Sequence, residues 1–276
     1  MSAAGSRQVF DAGGAQLVGE RHNGDGPRLV ALHAGVADRR SWRDVTTHLE
    51  GAVTLISYDR RGYGDSQPAA RAFSHLEDLT RVLDALGEDP VWLLGNSMGG
   101  RLALDMALQA PGRVAGLVLL SPAISGAPED PLDPDTQRLS DLLDSAWAAE
   151  DLEEVNRLET WLWLDGPGSE EGRVGDPPRG LALAMNAIVL ANESEQAELE
   201  RESETAAWNR LSEIRVPVTV ACGTLDVAPI IDQSQTLAQQ LARGRFVALP
   251  GMAHLPSLEA PRAVAGLIGE ALDAGH

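Results

Sequence analysis

Short, wholly apolar runs alternate with segments of helical period along most of this 276-residue chain. RLVALH (28–33), VTLISYD (53–59), VWLLG (91–95), VAGLVLLSP (114–122), VPVTVACG (216–223) and RFVALP (245–250) have strand length and few polar positions. Between them, SHLEDLTRVLDAL (74–86) places Leu76, Leu79, Val82, Leu83 and Leu86 at the helical period, and Gly87 stops it. SWRDVTTHL, MGGRLALDMALQA and stretches near 230–242 and 259–272 predict further helices. Strands apolar on both faces, separated by helices, imply a mostly parallel sheet covered on each side. QVFDA and AQLVGER, joined through Gly13 and Gly14, read as a hairpin that adds antiparallel strands at one edge.

The alternation stops between Ser121 and Leu211. There Leu132, Leu139, Leu142, Leu143 and Trp147, then Leu152, Val155 and Leu158, suggest successive amphipathic helices. The loop DGPGSEEGRVGDPPRG (165–180) interrupts them, and LALAMNAIVLA begins another helix. Because the sheet pattern resumes at Val216, residues 123–210 read as a helical lid inserted into a core made of 1–122 and 211–276.

Composition narrows the classes. The hydrophobic share of 43% is ordinary for a globular chain. No apolar run approaches the length of about 20 residues needed to cross a bilayer. The formal charge is -19, and all 22 basic residues are arginine. Such a chain repels nucleic acid and anionic membranes. Residues 121–210 hold 21 acidic residues against 6 arginines, so the lid carries most of the excess; a solvated helical surface is the plain explanation. Cys222 is the only cysteine and MSAAGSRQVFDAGG lacks the pattern of a secretory signal, so a reducing cytoplasm is expected.

One apolar run ends unusually, in VWLLGNSMGGRLAL (91–104). Gly95-Asn96-Ser97-Met98-Gly99 fits G-x-S-x-G where a strand opens into a helix, the setting of a nucleophile elbow. The competing explanation for Ser97 is an ordinary helix N-cap. A serine hydroxyl attacks well only when a base removes its proton. Of the six histidines, His254 in PGMAHLPSLEAP lies in a loop after the last strand, where such sheets carry their sites. Asp226, just past VTVACGTL, can fix the tautomer of that base. Its rival Asp232 falls in the following helix. An oxyanion needs two donors, and the backbone N–H groups of Met98 and Gly35 are the candidates, with His33 and Ala34 as supports; the competing explanation for Gly35 is an ordinary turn glycine.

HAGVADRRSW, YDRRGYGDS, GNSMGG, GTLD and PGMAHLPSLEAP together resemble the α/β-hydrolase superfamily over nearly the whole chain apart from the lid. The resemblance implies the α/β-hydrolase fold, with a mostly parallel eight-stranded sheet. It assigns Ser97 as nucleophile, His254 as base and Asp226 as acid, and treats Asp59, Arg61, Gly62 and Gly64 as a structural loop. Ala34 stands where related enzymes usually have glycine. GNSMGG is similar to the elbow of C–C bond hydrolases, but those usually carry tryptophan where this chain has Leu255. HLPSLEAP is closer to enol-lactonases and small-ester hydrolases. The expected reaction is hydrolysis of a carboxylic ester or lactone of a small, largely apolar molecule, with no cofactor and no metal, by a monomer or homodimer. A C–C bond hydrolase, an aminopeptidase whose lid carboxylates hold a substrate amine, a non-hydrolytic cyclase or lyase and a ligand receptor are the alternatives on the same fold. Trp147, Trp161, Trp163, Met185 and Trp208 either pack the lid helices or line the cleft, and Leu255 beside the base is a further pocket candidate.

Overall fold

A computed structural model describes residues 5–49, 51–87, 89–201 and 203–275, so His276 and the first four residues lie outside it. A hairpin opens the chain, β1 (Ser6–Asp11) and β2 (Gln16–His22), turning through Gly13 and Gly14 at φ 68° and 114°. Then follow β3 (Arg28–Leu32), α1 (Arg43–His48), β4 (Thr54–Tyr58), α2 (His75–Leu86), β5 (Val91–Asn96), α3 (Met98–Gln109) and β6 (Val114–Leu120). Each apolar run of the sequence became a strand, and the sheet contains eight in the order β1-β2-β4-β3-β5-β6, with β7 (Val218–Gly223) and β8 (Gly244–Leu249) completing it. The β1–β2 and β2–β4 pairs are antiparallel; every other pair is parallel.

Strand periodicity sorts the apolar runs into two cores. Val30, Leu32, Leu93, Leu117 and Leu119 face one side, with Leu79 of α2, Leu102 of α3 and Leu237 of α7 (Ala228–Gln240). Leu29, Ala31, Leu94, Val118 and Leu120 face the other, with Val45 of α1 and Val264 and Ile268 of the last helix. Full burial of each such leucine, isoleucine or valine stabilises the fold by roughly 1.5–3 kcal/mol, so doubly covered strands hold the sheet rigid beneath its loops. Local signals set the helix ends. Ser74 Oγ accepts from the Leu76 N–H at 3.3 Å to cap α2, and Gly87, at φ 103°, ends it.

Between β6 and β7 the chain is helical: α4 (Pro134–Ala148), α5 (Leu152–Thr160) with a π-helical turn at Trp161–Asp165, and α6 (Pro178–Leu199). Asp133 and Asp151 cap α4 and α5 through their carboxylates. Leu139, Val155, Leu158, Leu162 and Leu190 bind the three helices together. Leu142, Trp147 and Leu152, expected on the apolar face, are instead exposed. Helix α6 runs eight residues past the apolar stretch ending at Ala191, because ANESEQAEL is rich in strong helix formers. After β8 come the short α8 (Pro256–Glu259) and α9 (Pro261–Gly275). No helix among the described residues is long and apolar enough to cross a membrane.

Candidate active site

The parallel strands end at one edge of the sheet, and four of the loops there carry the residues singled out in the sequence. Between β5 and α3, Ser97 adopts φ 53° and ψ -116°, a conformation L-residues avoid. The turn fits only because its neighbours lack side chains. A Cβ at Gly95 would run into the Gly99 carbonyl, and one at Gly99 would run into the carbonyls of Leu32 and His33. Ser97 stands at the N-cap position, yet its side chain makes no capping hydrogen bond. The capping explanation for Ser97 therefore fails, and the strain leaves its hydroxyl facing a cavity.

Asp226 and His254 meet beside that cavity. His254 Nδ1 lies 3.0 and 2.9 Å from the two carboxylate oxygens of Asp226, and both residues are buried. A carboxylate only accepts, so Nδ1 carries the hydrogen and a neutral ring presents Nε2 as an acceptor. The Val227 N–H donates to Asp226 Oδ1 at 2.8 Å and holds the carboxylate in place. The Trp163 ring lies 4.6 Å from the His254 ring, and the Trp163 carbonyl accepts from the His254 N–H at 3.1 Å. Asn96 ties the centre together, its Nδ2 donating to the carbonyls of Leu120 and His254, each at 3.0 Å. Between Ser97 Oγ and the His254 ring no hydrogen bond is closed; such contacts often tighten only in the reacting complex. Cys222 also touches Asp226, but burial and that carboxylate push its thiol up to about 12, so it stays protonated.

The Met98 N–H, first in its helix, has no acceptor within that helix and lies at the positive end of its dipole. Gly35 lines the same cavity, with open space where a side chain would be. The loop before it is clamped from behind. The Arg60 N–H donates to His33 Nε2 at 3.1 Å, which leaves the hydrogen on Nδ1, and Nδ1 donates to the Ala34 carbonyl at 2.8 Å. Burial and the Arg60 charge hold His33 well below its ordinary value, so it stays neutral in this role. Asp59 accepts from the backbone N–H groups of Arg39 and Asp65 and pairs with the Arg39 guanidinium; Arg61 pairs with Asp78. These contacts brace the loop below the site.

The cavity measures about 380 Å³. Trp163 lines it with Ser97, Met98, Gly35 and His254. The other pocket candidates lie elsewhere. Trp147 is exposed on α4, and Trp161 donates Nε1–H to the Ser169 carbonyl beneath the Arg138 guanidinium. Met185 and Leu255 are buried in a cluster with Ala34 and Leu164, packing behind the loop of Ala34 and Gly35, and Trp208 packs on the first core. Glu159 of α5 and Asn186 and Glu193 of α6 also line the cavity, beside apolar Val189, Leu190 and Ala197, as do Tyr63 and His75; none of these was singled out in the sequence. The only signal for the two glutamates was the acidity of the segment. Among the described residues, no group of three or more His, Cys, Asp or Glu is placed to hold a metal ion.

The sequence model of the alpha/beta hydrolase family matches residues 29–267. The chain is 28% identical over 251 residues to a pimeloyl-[acyl-carrier protein] methyl ester esterase of Nitrosomonas europaea, covering 86% of this chain and 92% of that one. It is also 28% identical to a putative 2-succinyl-6-hydroxy-2,4-cyclohexadiene-1-carboxylate synthase of Bacillus subtilis, covering 88% and 89%. The crystal structure of an enol-lactonase from Burkholderia xenovorans superposes with a TM-score of 0.74 at 20% identity, over 96% of this chain and all of that one, which speaks for the fold alone.

Proposed function

The chain belongs to the alpha/beta hydrolase family, and on that premise we propose that it hydrolyses a carboxylic ester or lactone through a covalent acyl-enzyme. Ser97 is the nucleophile, His254 the general base and Asp226 the carboxylate that orients it. One observation carries this reading: a serine held at φ 53° without a capping bond opens onto the cavity shared by a histidine clamped to a buried carboxylate.

Ser97 Oγ attacks the carbonyl carbon as His254 Nε2 takes its proton, and Asp226 stabilises the imidazolium. The oxyanion of the tetrahedral intermediate accepts from the N–H groups of Met98 and Gly35, each worth a factor of about a hundred to a thousand in rate. His254 then protonates the departing alkoxide, and the same base activates water to release the acid. Residues 123–210 act as a lid over the core of 1–122 and 211–276, since Glu159, Trp163 and Asn186 close the cavity above Ser97.

The volume of about 380 Å³ suits a small guest, near the lower end of ligand sites at about 300–1,000 Å³. Its mixed wall favours an apolar body. No arginine is among the described residues lining it, which disfavours a carboxylate-bearing guest such as the one in the name of the Bacillus relative. Ser97→Ala is expected to abolish both turnover of p-nitrophenyl butyrate and labelling by a fluorophosphonate probe. Retention of either at the wild-type level sinks the assignment.

A further inference from the structure

The cavity lined by Ser97 also carries a group of acceptors, and no arginine is among the described residues lining it. Glu159 comes from the end of α5, and Asn186 and Glu193 from α6. A chain of hydrogen bonds fixes which atom of Asn186 is left over. Asn156 Nδ2 donates to the Leu183 carbonyl at 3.0 Å, so its Oδ1 must accept. Asn186 Nδ2 donates to that oxygen at 3.1 Å and to Glu159 Oε2 at 2.7 Å. Both partners are acceptors, so the amide cannot be flipped. Asn186 Oδ1 is consequently an acceptor without a partner, in a side chain only 2% exposed on the cavity wall.

The rest of the lining supplies no compensating charge. His75 is held well below its ordinary value by burial, with Arg60 and Arg61 adding to the effect, and so is neutral. Gln196 Nε2, also without a partner, offers a donor but no charge. Burial raises Glu159 to about 7, opposed by its bond from Asn186 and assisted by the charge of Glu193. Two carboxyl groups and an amide whose oxygen lacks a partner therefore line one cavity, and an unmet acceptor there favours a guest that brings a donor.

We propose that Glu159, Asn186 and Glu193 form a subsite for a protonated amine carried by the substrate. An ammonium group offers three N–H donors and one positive charge, matching an acceptor set that a hydroxyl satisfies only in part. The inference rests on the reading of this cavity as the substrate site, and it narrows the guest to a small ester or lactone with a cationic nitrogen.

Calorimetric titration of the full chain at pH 8 with n-hexylammonium, n-hexanol and hexanoate tests the subsite without any turnover. Hexylammonium is expected to bind at least about tenfold more tightly than hexanol, the difference one charge-assisted hydrogen bond supplies, with hexanoate weakest. In Glu159→Gln the preference for ammonium over alcohol should shrink to about twofold or less. Hexanol binding as tightly as hexylammonium in the wild type overturns the proposal, whatever the variant does. So does a full ammonium preference in folded Glu159→Gln. The p-nitrophenyl esters of 6-aminohexanoate and heptanoate separate this idea from the hydrolase assignment. Ammonium preference with no turnover of either ester would sink the hydrolase reading alone. Turnover without ammonium preference would sink the subsite alone.

Discussion

The Arg60 guanidinium donates through Nη2 to the Ala34 carbonyl at 3.0 Å, in a residue only 1% exposed. His33 donates to the same oxygen, as does the Ala37 N–H at 3.3 Å, so three donors hold one peptide unit. In a trans peptide the N–H points opposite to the C=O. Fixing the Ala34 oxygen therefore fixes the direction of the Gly35 N–H, and the guanidinium polarises that peptide as well. Arg60 is held in turn by the face of Tyr63, 4.4 Å from its ring centre.

Arg60→Met should accordingly damage turnover more than binding. We expect kcat for p-nitrophenyl butyrate to fall about 10- to 100-fold with KM changed less than about threefold, the signature of a misaimed transition-state donor. A thermal melt run in parallel separates this from unfolding. Equal losses in kcat and substrate affinity would refute the role.

Asp226→Asn should leave the fold intact and remove the tautomer control. An amide can donate to Nδ1, placing the hydrogen on Nε2, where it blocks proton abstraction from Ser97. The expected loss in kcat is about 10⁴-fold, measured on a p-nitrophenyl ester, with circular dichroism confirming the fold.

Gly99→Ala tests the packing of the elbow. The added methyl would meet the backbone oxygens of Leu32 and His33, which cannot swing aside as a side chain can. A loss of about 1–3 kcal/mol in urea-denaturation stability is expected, together with reduced turnover as the elbow shifts relative to Gly35.

Glu159 makes stability depend on pH. Burial lifts its carboxyl from an ordinary value of 4.5 to about 7. The folded state therefore holds the proton more tightly than the unfolded chain. Its contribution is fully present below pH 4.5 and is lost as pH rises towards about 7. Glu159→Gln should reduce the drop in unfolding free energy between pH 5 and pH 8 by about 1–2 kcal/mol. An unchanged drop in folded Glu159→Gln contradicts that assignment.

Much of this arrangement could be read from the chain alone, for a physical reason. Strands covered on both faces need continuous apolar runs, so Leu93 and Leu94 mark β5 although they face different cores. Gly95 and Gly99 mark the elbow because only glycine fits against the adjoining backbone. Asp226 and His254 stood out because each follows a strand. The individual residues of the proposed amine subsite were not legible, although the acidity of the lid pointed to carboxylates there. Glu159 and Asn186 lie on amphipathic helices, where a polar side chain reads as solvated; only the crossing of α5 and α6 turns them inward. Met185 and Leu255 show the reverse error. Their proximity to the site is real, but both are spent on packing behind Ala34.

The two bonds made by Asn96 Nδ2 have a wider consequence. They lash the end of the strand that carries Ser97 to the neighbouring strand and to the loop that carries His254. Ser97 and His254 thus share one foundation in the sheet, while Glu159 and Asn186 stand on α5 and α6. On the proposed reading, chemistry and recognition are modular in this chain: a new α5–α6 wall could be grafted over the same centre to change what is cleaved without redesigning how it is cleaved.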